Sequence, residues 1–305
     1  MRKSIKAIVC TVSALVICAA PTVTPFSEIT VNTAITAGAA DRIETSDHKW
    51  EFYITNGTAE IYKYKGTGSN VTIPTSLTDP ATKKSYKVSS IMQYSFSKNT
   101  YIKSVTVPKG ITEIPIGAFS DATNLTQINL PNGLKKICTS AFMNTKLSKI
   151  TFPSTLEVIQ ENAFQDTQLA TITFGKNVKE IGRMAFSGTK ITSLTIPSNV
   201  KKIDGMAFSN CGSLKNATFD GYFKAGGSLF SGCNCLENVN MDIGSFSAVF
   251  SSGALGGAPN LKKINNTKVV NLDYNGKPYF VYPYQPYLTL YFAINDSSDV
   301  SFMND

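Results

Sequence analysis

Apolar residues recur through the middle of the chain with a period of 22 or 23 residues. Each period is marked by a phenylalanine, which in most units directly follows an alanine. These phenylalanines are Phe96, Phe119, Phe142, Phe164, Phe186, Phe208 and Phe230. A fixed period of this length is typical of a solenoid, in which similar coils stack and each coil contacts only its neighbours. We therefore expect function to reside on an extended surface.

The coil that contains Phe164 illustrates the pattern within one unit. Residues 147–152 end in an alternation of apolar and polar positions, which predicts a short strand with one face inward. Pro153 follows and ends the pairing, because proline has no amide hydrogen to donate. Leu156 and Ile159 come next, and the spacing from Ile159 to Ala163 predicts a single helical turn. The sequence therefore predicts a β-rich repeat solenoid with one short helical turn in each 22–23-residue coil.

Both ends of the array depart from the repeat, as caps do. Residues 50–55 and 59–64 flank Asn56-Gly57, a dipeptide that favours a two-residue hairpin turn. At the other end the segment 279–292 is unusually aromatic, and it either closes the array or offers a ligand surface. The predicted organisation is an N-terminal hairpin cap with a first irregular coil at 41–87, the solenoid at 88–265, and an aromatic C-terminal cap or tail at 266–305.

Residues 1–40 have the features of a secretory signal peptide. Arg2, Lys3 and Lys6 precede an apolar run at 7–20, and small residues up to position 40 suit cleavage before Asp41. Beyond residue 40 no apolar run is long enough to span a bilayer. We expect the mature chain to be secreted or extracellular, free or associated with the cell surface, and without a membrane span.

Composition narrows the classes of function. Removal of residues 1–40 takes away three bases and one acid, so the formal net charge falls from +8 to +6, a mild excess that does not predict a nucleic-acid partner. His48 is the only histidine and precedes the hairpin, while acids such as Glu113 and Glu157 are scattered among the coils. The convergent groups of a catalytic triad or a glycosidase are missing from this pattern. We expect a monomeric, non-enzymatic protein without a cofactor or metal.

Four cysteines lie beyond the signal segment, too few for the framework of a small disulfide-stapled fold. Cys211 and Cys233 each come three residues after the phenylalanine of their unit, so they would stack in adjacent coils. Two interpretations stay open: a disulfide in an oxidising environment, or a column of small, half-buried side chains.

The outward positions of the predicted strands form two polar columns once the coils stack. Hydroxyl and amide groups dominate these columns, and they suit hydrogen bonding to an extracellular protein strand or to a glycan. The alternative is that threonine simply favours an exposed strand. The candidate ligand-face residues are Thr106, Gln127, Asn129, Lys149, Thr151, Thr171, Thr173, Ser193, Thr195, Asn216 and Thr218.

A second surface candidate is a ridge of lysines beside the second apolar pair of each unit. Such a ridge would attract anionic glycans or acidic cell walls, or it would simply be a solvated edge. The ridge candidates are Lys135, Lys136, Lys179, Lys201 and Lys202.

The repeated pattern I-x-x-I-x-x-x-A-F-x-x-C/T-x-x-L-x-x-I-x-I-P resembles the BspA-like class of bacterial leucine-rich repeats over roughly residues 88–265. Proline or glycine after the strand and the lack of an asparagine ladder both fit that class. The resemblance implies a leucine-rich-repeat solenoid that is secreted or displayed on the surface and often acts in adhesion, with no shared catalytic residues. We therefore expect an adhesin-like binding protein; the alternatives are an inhibitor or accessory subunit of an extracellular enzyme, or a structural cell-wall-associated protein.

Overall fold

The computed structural model describes residues 41–241, 254–255, 258–264, 267–268, 270–274, 277–284 and 288–293, with the strands after residue 264 described by their backbone. The predicted signal peptide lies outside the described residues. The described part is built from short β-strands and turns, and it contains no helix long and apolar enough to cross a membrane.

A five-stranded sheet, in the order β1-β2-β3-β6-β5, stands at the N-terminal end. Strands β2 and β3 pair in antiparallel register around Asn56 and Gly57, whose φ angles of 51° and 75° suit a tight hairpin turn. The predicted hairpin is therefore confirmed. The strands of this region are β1 (Ile43–Glu44), β2 (Trp50–Thr55), β3 (Thr58–Tyr64), β4 (Asn70–Thr72), β5 (Ser76–Thr78) and β6 (Ser85–Ile91).

One parallel ladder runs without interruption along the solenoid, with one two-residue strand from each coil. We call this sheet the ridge ladder, because its strands contain or adjoin the predicted lysine ridge. In each of the first five strands an isoleucine points inward and is fully buried, so successive isoleucines stack in register. Its strands are β8 (Glu113–Ile114), β10 (Lys136–Ile137), β11 (Val158–Ile159), β12 (Glu180–Ile181), β14 (Lys202–Ile203) and β16 (Lys224–Ala225).

The predicted strands of the repeat form the second side of the solenoid, which we call the strand face. This face contains two separate sheets, one of order β4-β7-β9 and one of order β13-β15-β17-β18-β19. Their remaining strands are β7 (Ser104–Thr106), β9 (Gln127–Asn129), β13 (Ser193–Ile196), β15 (Asn216–Phe219), β17 (Asn238–Met241), β18 (Lys263–Ile264) and β19 (Thr267–Lys268). A three-stranded antiparallel sheet follows, with β20 (Val270–Tyr274), β21 (Lys277–Tyr284) and β22 (Leu288–Ala293).

The phenylalanine column forms the centre of the core, as the sequence predicts. Each ring from Phe96 to Phe230 is fully buried and stacks on the next, with centroids 4.8 to 6.1 Å apart. Trp50 and Tyr64 of the hairpin pack on Phe96 and extend the aromatic stack at its N-terminal end. The repeat period thus corresponds to one coil of a solenoid.

The prediction of a helical turn in each coil is wrong. Asn162 and Asp166, two residues before and two after Phe164, have φ angles of 55° and 56°, which a right-handed helix does not accommodate. The amide of Phe164 donates to the carbonyl of Ala185 in the next coil at 2.8 Å. Since the amide joins neighbouring coils, it cannot close a helical turn within its own coil. Asp, Asn and Gly recur two residues after the phenylalanine, and these residues tolerate positive φ.

Candidate binding face

The strand face is interrupted at its centre. Residues 149–152 and 171–174, which the repeat predicts to be strands, belong to no sheet, and no backbone hydrogen bond joins them to a neighbouring coil. Just before them, the amide of Ala170 donates to the carbonyl of Ser148 at a long 3.5 Å, and the carbonyl of Ala170 accepts from the amide of Thr192 at 3.3 Å. We call these two segments the central gap. The strands predicted at these two positions are therefore not formed, and the strand face consists of two sheets that the central gap separates.

The phenylalanine rings on the strand-face side of the central gap are spaced more widely than the adjacent rings of the core column. The rings of Phe152 and Phe174 on this side have centroids 6.2 Å apart, whereas Phe142, Phe164 and Phe186 stack at 5.2 and 5.3 Å. In these coils the phenylalanine column is therefore stacked, while the strand face beside it is not paired.

Four predicted ligand-face residues lie in the central gap. Lys149, Thr151, Thr171 and Thr173 are all exposed, and none of their side chains makes a hydrogen bond or ion pair within the described protein. The amides and carbonyls of the same segments also have no backbone partner. Because backbone N–H and C=O groups are strong hydrogen-bonding groups, the central gap offers a dense set of donors and acceptors to a ligand.

The flanks of the strand face differ from the central gap, because some of their polar side chains bond to each other. The amide of Asn129 donates to the hydroxyl of Thr106 at 3.2 Å, and that of Asn238 donates to Asn216 at 2.8 Å. The other predicted ligand-face residues of the flanks, Gln127, Ser193, Thr195 and Thr218, lie in the strands β9, β13 and β15. The structure thus brings all the predicted ligand-face residues to one side of the solenoid, with the least satisfied groups at its centre.

The ridge ladder carries charges of both signs. Lys136 lies in register with Glu113, and Glu180 lies between Val158 and Lys202. The ammonium of Lys179 is 3.5 Å from the carboxylate of Glu157. The acids occupy the same repeat positions as the lysines. The ridge is therefore less attractive to a polyanion than the lysines alone would be.

The same alternation reaches the last lysines of the ridge. The ammonium of Lys202 is 3.0 Å from Asp204, and that of Lys201 donates to the carbonyl of Ser198 at 2.7 Å. Lys135 and Lys201 keep exposed side chains. The predicted ridge lysines thus lie along one side of the solenoid, where they alternate with acidic residues.

Cys211 and Cys233 stack in adjacent coils as fully buried free thiols. Each thiol donates to the phenylalanine carbonyl of the preceding coil, at 3.3 Å for Phe186 and 3.1 Å for Phe208. The hydrogen bond shared with Cys211, together with burial, raises the pKa of Cys233. A buried thiol with a raised pKa is a poor nucleophile, which describes Cys233. Both cysteines are fully buried free thiols and act as packed core residues in this state.

His48 lies in the cap, away from the strand face. Its side chain is exposed, and its Nδ1 is 3.1 Å from a carboxylate oxygen of Glu44. Within the residues that the structure describes, no three His, Cys, Asp or Glu side chains group as metal ligands.

Comparison with known proteins identifies the repeat family of the chain. The family model of the BspA type leucine-rich repeat region matches residues 59–190 and 135–262, in six copies. A leucine-rich cell surface protein from Faecalibacterium prausnitzii is 24% identical, with 73% of this chain and 76% of that one covered and a TM-score of 0.47. The leucine-rich repeat protein of T. pallidum is also 24% identical, with coverage of 64% and 81% and a TM-score of 0.42. No curated protein matches the chain significantly.

Proposed function

The chain belongs to the BspA type leucine-rich repeat family, and on this premise we propose that it is a secreted or cell-surface binding protein. In this proposal it acts as an adhesin-like recognition module and not as an enzyme, and its partner is an extracellular protein or a glycan. The family suggests a protein-interaction module of the bacterial surface; the partner and the contact surface are our inference.

The central gap is the observation that carries this proposal. A sheet whose ladder is complete has already used its backbone donors and acceptors, whereas residues 149–152 and 171–174 have not. An extended partner segment or a row of sugar hydroxyls would satisfy these groups in the bound state. Main-chain hydrogen bonding of this kind is a common mode of peptide recognition, with affinity from the backbone and selectivity from the flanking side chains.

The shape and chemistry of the face support a broad, flat contact. The exposed residues of the central gap are three threonines and one lysine, with the half-buried Ile150 between them. Such a surface has few charges, so covering it with a partner costs little free energy for the desolvation of charged groups. The ridge ladder gives less support to binding, because its lysines alternate with acids and several are already paired.

The proposal is tested on an array of extracellular-matrix proteins and glycans probed with the purified protein. The test variant changes Thr151, Thr171 and Thr173 together to Glu, and the control changes Lys201 and Lys202 to Glu. All three threonines are exposed and make no internal hydrogen bonds, so the variant should fold. We expect the threonine variant to bind its partner at least about tenfold more weakly, a loss of about 1.4 kcal/mol or more, while the control retains binding.

Other outcomes would contradict the proposal in distinct ways. Loss in the lysine variant alone would place the site on the ridge. Retention in both variants would exclude both surfaces. Tight one-to-one binding to a purified enzyme would indicate an inhibitor or accessory subunit, and release only after digestion of the cell wall, without any soluble ligand, would indicate a structural role.

A further inference from the structure

A groove of about 600 Å³ lies toward the C-terminal end of the strand face, where one coil departs from the repeat. Strand β15 is followed by Asp220 and Gly221, whereas Pro197 follows the preceding strand β13. Gly221 has a φ of 110°, and a β-carbon there would lie 2.9 Å from that of Ser198. Only glycine fits this conformation and this close approach, so the bend depends on its identity. The next residue, Tyr222, is 65% exposed.

Four polar side chains surround the groove: the hydroxyls of Ser198 and Thr218, the carboxylate of Asp220 and the amide of Asn240. None of these side chains makes a hydrogen bond or ion pair within the described protein. Asn129, at the same repeat position as Asn240, instead donates to Thr106. The lining also includes Phe219 and Met241, which are buried. This combination, a small set of convergent polar groups over an apolar lining, is that of a small-ligand site.

We propose that this groove binds a neutral saccharide unit, the terminal or internal residue of a glycan. Two hydroxyls and an amide both donate and accept hydrogen bonds, while a carboxylate accepts two or more. Neighbouring sugar hydroxyls also donate and accept at short spacing, so they match this set of groups. Tyr222 directly follows Gly221 of the lining and is 65% exposed; a tyrosine ring has an apolar surface and a polar tip, which would suit the C–H face of a sugar ring.

The charge of the groove selects among saccharides. Among the described residues that line it, Asp220 is the only charged one. A uronic or sialic acid would place its carboxylate beside Asp220, so acidic sugars are disfavoured there. The ammonium of Lys201 donates to the carbonyl of Ser198 at 2.7 Å, but Lys201 is not among the described residues that line the groove. A lysine side chain would satisfy the carboxylate, but it cannot donate to and accept from the hydroxyls and amide as a sugar does.

This inference rests on the proposed function, because it gives the ligand class of the same strand face. The probes are neutral disaccharides, namely maltose, cellobiose, lactose and N,N′-diacetylchitobiose, titrated into the full chain by calorimetry and by saturation-transfer NMR. We expect at least one to bind. Asp220→Asn keeps the volume but removes the charge, and Asn240→Ala removes the amide; each should weaken binding about tenfold or more, as for a lost hydrogen bond to a charged or convergent group.

The matched control is Asn129→Ala, which alters the same repeat position outside the groove and should change disaccharide affinity less than about twofold. Urea unfolding midpoints verify that each variant is folded. The inference is overturned if none of the four disaccharides binds, if Asp220→Asn and Asn240→Ala bind as the wild type does, or if a heparin-derived oligosaccharide or a lysine tetrapeptide binds there instead.

The two proposals fail separately. The threonine variant (Thr151→Glu, Thr171→Glu and Thr173→Glu) changes the central gap and should leave disaccharide binding in the groove unchanged. If this variant no longer binds a protein partner and no disaccharide binds the wild type, the proposed function stands and the groove is excluded as a saccharide site. If Asp220→Asn abolishes disaccharide binding and the threonine variant binds every array partner as the wild type does, the groove remains the saccharide site and the central gap is excluded.

Discussion

The ridge ladder and the strand face belong to the same coils, yet only one of them is continuous. Along the ridge, strands from Glu113 to Ala225 pair in register through six coils. On the opposite side the pairing stops after β9 and resumes at β13. Ile159 on the ridge ladder is fully buried, whereas Ile150 of the same coil is only half-buried.

This difference separates the scaffold from the surface that is free to bind. The ridge ladder and the phenylalanine column join successive coils by backbone bonds and ring stacking, and together they are sufficient to keep the stack in register. The strand face can then leave its central groups unpaired without loss of the fold. In a solenoid, where each coil contacts only its neighbours, such a local departure does not spread along the array.

The largest difference that we expect between the ridge ladder and the central gap is in the hydrogen exchange of their backbone amides. The amides of Lys179 and Lys201 donate to carbonyls of the preceding coil at 2.8 Å, and the amides of Thr151 and Thr173 have no backbone acceptor. The ridge amides should be protected up to the free energy of global unfolding, roughly 5–15 kcal/mol, and the central-gap amides hardly at all. Residue-resolved exchange measured by NMR checks this. Equal protection on both sides would show that the strand face is paired in solution.

A pair of proline substitutions provides the next contrast. Lys179→Pro removes the hydrogen bond to Glu157 on the ridge ladder and should cost about 3 kcal/mol, because proline has no amide hydrogen. Thr173→Pro removes no such bond and should cost about 1 kcal/mol or less. Urea unfolding gives both values, and the alanine variants at the same positions control for the side chains. Similar losses for the two prolines would contradict the distinction between scaffold and central gap.

The smallest effect that we expect is the coupling free energy of the ion pair between Lys179 and Glu157 on the ridge ladder. Lys179 and Glu157 are 3.5 Å apart with side chains 62% and 40% exposed, so water and salt screen their attraction. A double-mutant cycle of Lys179→Ala and Glu157→Ala should give a coupling below about 1 kcal/mol that declines in 1 M salt. A larger coupling would mean that side-chain charges, and not backbone pairing, hold the ridge.

The turn around each phenylalanine shows where sequence reasoning succeeds and where it fails. The column of Phe119, Phe142 and Phe164 follows from the period alone, since a large apolar side chain that returns once per coil must occupy the interior. The helical turn was inferred from the spacing of Ile159 and Ala163, but the amide of Phe164 bonds to the next coil. Local spacing does not reveal whether an amide finds its acceptor in its own coil or in a neighbour.

Thr173 and Thr195 mark the limit between what the sequence determined and what only the tertiary structure decided. Both occupy the same repeat position with the same side chain, so the sequence by itself determined the period, the buried rings and the side of the solenoid on which both lie. Thr195 nevertheless pairs within β13, and Thr173 lies in the central gap. Pairing requires two coils to approach within hydrogen-bond distance, and that separation depends on the packing of neighbouring coils as a whole. No single repeat contains that information.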